Sequence, residues 1–264
     1  MAVQPAKARR EDRMIDWLGD PANWQGSGGV PIRLLEHLAY FGVTLLIAIA
    51  IAIPLGLYVG HTGKGGVAIA GVANSLRALP TLGLLILAYL LLASVFPGNL
   101  AFSVPSILVL VVLAVPPILT NTYAGVRAVD AEVKQAGYGM GMSGAQVLWQ
   151  VEVPNAMPLI MAGVRSSALQ IIATATVAAY VSLGGLGRYL IDGIAQRDYP
   201  QVLSGAVLVA VLAILVEVVL SVLQFMIVSP GLSARGRRNR KSEGPVAVRS
   251  DTPSTAASTS GNHE

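Results

Sequence analysis

There is no cysteine among the 264 residues. Disulfides, thiol catalysis and cysteine-ligated zinc are thereby excluded. Charge is scarce too: 12% of the chain is Asp, Glu, Lys or Arg, against 54% hydrophobic residues. A soluble domain carries about 25% charged residues, so with a mean hydropathy of +0.65 the chain reads as a membrane protein. The histidines His37, His61 and His263 lie far apart and form no ligand-spaced pair. Neither a metal site nor a cofactor is expected. The net charge of +4 does not point to nucleic acid. Much of it sits in the run Arg235-Gly236-Arg237-Arg238-Asn239-Arg240-Lys241, which reads as an inside-facing flank or an anionic-lipid contact.

What is abundant is apolar runs. A bilayer core of about 30 Å takes roughly 20 apolar residues in helix, and five segments satisfy that. They are Leu38 to Tyr58, with Pro54 near its end; about Val67 to Ser94, broken at Pro80; Ser106 to about Tyr123, with Pro116 and Pro117 inside; about Leu159 to Leu183; and Val202 to Val228. Prolines inside spans are tolerated where neighbouring helices or water satisfy the freed carbonyls. Their number points to bent helices around a pathway. The expected architecture is an all-α, polytopic membrane bundle of about five spans over residues 38–229. Residues 1–37 form a mixed N-terminal segment, in which Ile32, Leu34, Leu35 and Leu38 suggest a short interfacial helix. The basic residues there stand well before the first apolar run and no small-residue cleavage signal follows, so the first span is read as retained. Residues 230–264 are rich in Arg, Ser, Thr, Gly and Pro and read as a disordered tail.

Loop charges set the orientation. The loop Pro97 to Pro105 is uncharged and reads as outside, whereas His61, Lys64 and the Arg-rich tail read as inside. Five spans then place the N-terminus outside and the C-terminus in the cytoplasm. Lys7, Arg9, Arg10 and Arg13 oppose this arrangement, but they lie well before the span.

The loop "GYGMGMSGAQVLWQVEVPNAMP", Gly137 to Pro158, is richer than a connection needs. Ser143 and Gln146 have the spacing of a capping box, and Met142 and Val147 occupy the positions of a hydrophobic staple. A short helix is expected through Trp149 and Gln150, stopped by Pro154 and Pro158. Asp130 to Gly137 reads as a second short helix ended by glycines. Together they form a cytoplasmic helix–turn–helix. It either offers an apolar, Trp-bearing surface to a soluble partner or packs on its own chain.

At these residues the chain resembles importer-type ABC transporter permeases. Their cytoplasmic loop follows a pattern of Glu-Ala-Ala, three residues, Gly, nine residues, Ile, one residue, Leu-Pro. Here Gly141 matches the Gly, Val151 the Ile, and Val153-Pro154 the Leu-Pro. The Glu-Ala-Ala positions fall on Gln135, Ala136 and Gly137, two of which depart. The resemblance implies that Ser143, Leu148 and Trp149 belong to a coupling helix that docks in a groove of an ATP-binding cassette ATPase. It covers roughly residues 38 to 230. "NSLRALPTLGLL", "PPILTNTYAGVRAVD" and "ATATVAAYVSLGGLGRYLIDGI" look like permeases for glycine betaine, carnitine, choline and proline, the osmoprotectant importers; methionine and sulfonate permeases share much of the architecture. The resemblance further implies a prokaryotic cell-membrane location, a second permease subunit of the same or a related chain, and an extracytoplasmic substrate-binding protein. That protein would hold the solute by cation–π contacts. "GHTGKGG", Gly60 to Gly66, lacks the spacing and the Ser or Thr of a phosphate-binding loop, so ATP hydrolysis is expected on another chain.

Other polar positions carry two readings each. Glu217 lies mid-span, where a charge is expensive; with Ser221 and Gln224 on its face it reads as helix–helix packing or as a gating group. Arg77 either snorkels to the inner interface or lines an inner vestibule. Asn121 and Tyr123 read as an inner-end cap and anchor or as pathway groups. Thr174 and Thr176 permit close helix approach or line a pore. Gly184 and Gly185 form a turn or part of an outer gate. The rival classes lack their parts: an intramembrane protease needs a Ser–His or paired-Asp set inside the spans, and a standalone carrier usually shows an internal repeat.

Overall fold

The computed structural model describes residues 6–227; the side chains of residues 6–12, Ala70, Asn74 and Arg77 fall outside that description, as does the expected tail 230–264. The described residues are helical throughout, with short connections. α1 (Ala6–Gly19) is followed by a 3-10 turn and α2 (Val30–Thr62). The second apolar segment is two helices, α3 (Gly66–Ala78) and α4 (Thr81–Leu92), hinged at Leu79-Pro80. α5 (Leu100–Arg127), α6 (Ala131–Gly139), α7 (Gly144–Val147) and α8 (Val153–Ala178) follow, then α9 (Gly187–Gln196) and α10 (Tyr199–Ile227).

Four stretches are long and apolar enough to cross a membrane: α2, α5, α7 through Val181, and α10. The fifth expected span is the broken pair α3 and α4. Pro80 forces the preceding residue out of helix, so neither half reaches the 20 or so residues of a straight crossing.

α2 begins at Val30 rather than at Leu38. Pro31 stands in its first turn, where a missing N–H costs nothing. The Ile32–Leu35 pattern therefore merges into the span instead of forming a separate interfacial helix.

α5 and α8 are the centre. Half or more of their most apolar windows is buried, against 6% for α10. α2 packs most extensively on α5, which packs in turn on α8. Their shared core joins Leu45, Ala48 and Ala52 of α2, Ala114 and Ile118 of α5, and Val164, Ala168 and Ile171 of α8. Small residues let these backbones approach. At Gly163 a Cβ would lie 2.7 Å from Asn121 Cβ and 2.9 Å from the Pro117 carbonyl oxygen. Ser167 Oγ donates to the Ala114 carbonyl at 2.7 Å, an α5–α8 bond that satisfies a carbonyl within the bundle.

Candidate functional site

The segment expected to be the coupling segment is built from local signals. Asp130 caps α6, its carboxylate accepting the Glu132 N–H at 3.0 Å. Gly141 turns the chain with φ +84°, a conformation that costs a non-glycine residue about 1–2 kcal/mol. Ser143 then caps α7. Its hydroxyl accepts the Gln146 N–H at 3.4 Å, while the Gln146 side chain accepts the Ser143 N–H at 2.8 Å. The capping box read from the sequence is present in full.

The prolines do not stop this helix. After α7 the chain widens into a single π turn, Leu148–Glu152, in which the Val153 N–H donates to the Leu148 carbonyl. The wide turn runs straight into α8, with Pro154 in its first turn where no N–H is needed. Asn155 Nδ2 donates to the Val151 carbonyl at 2.7 Å, further closing the ladder. Pro158 is carried inside α8. π turns of this kind concentrate at functional sites.

The two faces of the segment differ. Val147 is fully buried, and Leu148 packs on a cluster of Leu57, Val126, Ala156 and Ile160. Leu148 is partly buried and helps anchor the segment to its own chain. Val151 is partly buried beside Gly137. A methyl group at Gly137 would sit 3.3 Å from the Met142 sulfur and 3.4 Å from Val147 Cγ2, a tight fit at a position where the family pattern has alanine. Outward stand Gln135, Ala136, Gly141, Ser143, Pro154 and Trp149, the last 62% exposed, with Met140 beside them. Both readings of this loop thus hold for part of it: one side packs at home and the other is free.

Beneath the segment lies an ion cluster that sequence reasoning missed. Glu152, the last residue of the π turn, is 2% exposed. Its Oε2 lies 2.6 Å from His61 Nδ1 and its Oε1 2.9 Å from Lys134 Nζ. Lys134 Nζ also donates to the Val126 carbonyl at 3.1 Å. The available signal was a carboxylate between Val151 and Val153 on a helix whose neighbours are apolar.

Several of the expected pathway residues bond within their own helices. Asn121 Nδ2 donates to the Pro117 carbonyl of its own helix at 2.8 Å, and Tyr123 packs its ring against Gly66. The Thr174 and Thr176 hydroxyls donate back to the Gln170 and Ile172 carbonyls at 2.8 and 2.9 Å. Arg77 is on α3, but its side chain lies outside the described residues. Glu217 pairs with Arg165 of α8, whose guanidinium also donates to Gln224 Oε1 at 2.9 Å. Arg165 was missed in the sequence, although it is a second ion inside a span and ions within membranes come in pairs.

Gly184 and Gly185 lie beyond the far end of α8, about 40 Å of helix from the coupling segment. The Gly185 N–H donates to Glu36 Oε2 at 2.8 Å, and Arg33 holds the same oxygen at 2.9 Å. The loop is thereby tied to α2. On α9, the Tyr189 hydroxyl donates to the Gly28 carbonyl at 2.6 Å. Burial pushes the Tyr189 phenol above its usual pKa, so it remains a neutral donor.

Residues 52–233 match the family model described as "Binding-protein-dependent transport system inner membrane component". The carnitine transport permease protein OpuCB of Listeria monocytogenes is 35% identical over 74% of this chain and 86% of its own length. The glycine betaine/carnitine/choline transport system permease protein OpuCB of Bacillus subtilis is 36% identical over 75% of this chain and 88% of its own. Among solved structures, a chain of the MetNI methionine ABC transporter in an inward-facing conformation superposes with a TM-score of 0.65 at 21% identity. That match covers 80% of this chain and all of the other, and it shows a shared fold. With the capped coupling segment and the apolar helices, these likenesses settle the class: the chain belongs to the binding-protein-dependent transport system inner membrane components, the membrane permease subunits of ABC importers.

Proposed function

We propose that this permease imports a compatible solute such as glycine betaine, choline, carnitine or proline. The observation that carries the importer reading is the exposed Trp149 beside a turn preorganised by the Ser143–Gln146 capping box. A rigid aromatic on a fixed turn suits a partner groove, since aromatic anchors dominate such contacts. The partner is an ATP-binding cassette ATPase on a separate chain, and this subunit itself catalyses no reaction. A second permease, identical or related, completes the path, and an extracytoplasmic binding protein delivers the solute. The chain is inserted with its N-terminus outside and its C-terminus in the cytoplasm. The solute class is supported by the names of the relatives that are 35–36% identical.

The charge pattern fits a path that selects little. Within the four long apolar stretches, Glu36, Glu152 and Glu217 are each already engaged by a cation or a backbone N–H. A cationic solute passing through would meet no free carboxylate among them, and so no trap. Selection then falls to the binding protein, and movement to alternating access driven by ATPase closure.

Uptake into vesicles containing the permease, its ATPase and its binding protein tests this reading. Labelled glycine betaine, choline, carnitine and proline should enter only with ATP and all components. Methionine entering faster than any of them would overturn the solute class. Uptake by the permease alone would make it a standalone carrier.

A further inference from the structure

The ion cluster under the coupling segment has no role in docking. Glu152 is buried, and no exposed surface of the segment includes it. Yet it is the only carboxylate among the described residues that links the segment to other helices. One oxygen meets His61 in the last turn of α2. The other meets Lys134 on α6, and the same ammonium holds the Val126 carbonyl in the last turn of α5. The opposite edge of the His61 ring lies against the start of α7: a Cβ at Gly144 would be 3.5 Å from its Nε2. His61 is thus held between the first residue of the coupling helix and the last residue of the π turn. Apolar packing behind this set comes from the buried Val147 and from Leu148 and Val153 on the cluster around Leu57 and Val126.

We infer that Glu152 is a positioning residue that locks the coupling segment to the cytoplasmic ends of α2 and α5, so that a push on the segment reaches those helices through its carboxylate as well as through α8. This rests on the reading of the Trp149 surface as the ATPase dock. The chemistry suits the task. Hydrogen bonds to an ionised group are short, directional and about twice as strong as neutral ones, and apolar contacts alone can slide. The π turn aims the carboxylate: without its extra residue, Glu152 would stand about 100° further round the helix. Lys134 neutralises the carboxylate, and the His61 Nδ1–H orients it. Trp149 receives the push and Glu152 passes it on.

The test uses the assembled transporter in vesicles and records three quantities: ATPase retained on the membrane, ATP hydrolysed, and solute taken up. In Glu152→Gln, which keeps the shape and loses the charge, solute transported per ATP should fall at least tenfold while ATPase retention stays within twofold. His61 supplies a gentler pair of variants. His61→Asn places an amide N–H where Nδ1–H stood and should keep at least half of the wild-type ratio. His61→Leu fills similar space without a donor and should lose most of it. A simple packing role would treat His61→Asn and His61→Leu alike, so equal ratios in the two overturn the lock. So does an unchanged ratio in Glu152→Gln, or loss of ATPase from its membranes in proportion to lost uptake. Wild-type membranes that retain no ATPase would instead remove the docking reading, and the lock with it.

Discussion

Removing the Arg165–Glu217 pair one side at a time should be costly, and removing both sides should not. Each side chain is about 30% exposed, so the ions are neither fully buried nor free. A lone charge at mid-span costs about 2.5–3.5 kcal/mol on insertion scales, and partial exposure places this pair at the lower end. In Glu217→Leu, Arg165 keeps its bond to Gln224 Oε1 at 2.9 Å, which limits the loss to about 2 kcal/mol. In Arg165→Leu, Glu217 keeps no cation, and its Oε2 already lacks a partner; a loss of about 3 kcal/mol follows. The double substitution removes both charges together and should cost under about 1 kcal/mol. The cycle then shows a coupling of roughly 4 kcal/mol. Reversible unfolding of the purified permease in mixed detergent micelles, titrated with dodecyl sulfate, reads these differences directly. Additive single costs would refute the pairing as a source of stability. A double variant of restored stability with abolished uptake would move the pair from helix packing to the solute path.

Trp149→Ala should release ATPase from the membrane by about 2 kcal/mol or more, the range of an interface hot spot, with the inserted amount of permease unchanged; co-sedimentation measures it. At Gly141 a Cβ meets no atom within 4 Å, so substitution costs backbone strain alone. Gly141→Asn should transport better than Gly141→Val, since asparagine tolerates left-handed backbone, and equal uptake by the two would refute the strain argument. Gly163→Leu should abolish accumulation of folded permease, because the side chain would enter the α5 backbone, whereas Gly163→Ala leaves a reduced amount; immunoblots of membranes check both. Cysteines placed at Ser103 and Ser233 of this cysteine-free chain should label from outside and inside respectively, and outside labelling of Ser233→Cys in intact cells would reverse the orientation.

What was legible in the sequence was local. The capping box needs two residues three apart, and the break at Leu79-Pro80 needs one proline. Both signals act within a turn of the residue that carries them, and both are found in place. What was not legible depended on distant partners or on neighbours rescuing a breaker. Pro154 and Pro158 read as stops, yet Pro154 falls in the first turn of α8 and Pro158 is carried inside it. Arg165 and Glu217 stand 52 positions apart and Glu152 and His61 91 apart, separations at which no periodicity announces a pair. The cluster on which Leu148 packs comes from α2, α5 and α8, which no local pattern in the loop announces.

α2 is a continuous rod of 33 residues, about 50 Å long against a hydrocarbon thickness of about 30 Å. Glu36 grips the Gly185 loop near one end and His61 meets the coupling segment at the other. Between them Thr44, Leu45, Ala48 and Ala52 bed against α5 and α8 like the seat of a fulcrum. A stiff beam seated in this way would turn an inward stroke at His61 into an opposite stroke at Glu36. Opening at one membrane face and closing at the other would then be a single see-saw movement. Pro54, two turns from His61 and carried within the helix, is where such a beam would flex, and its compliance would set how much of the stroke arrives.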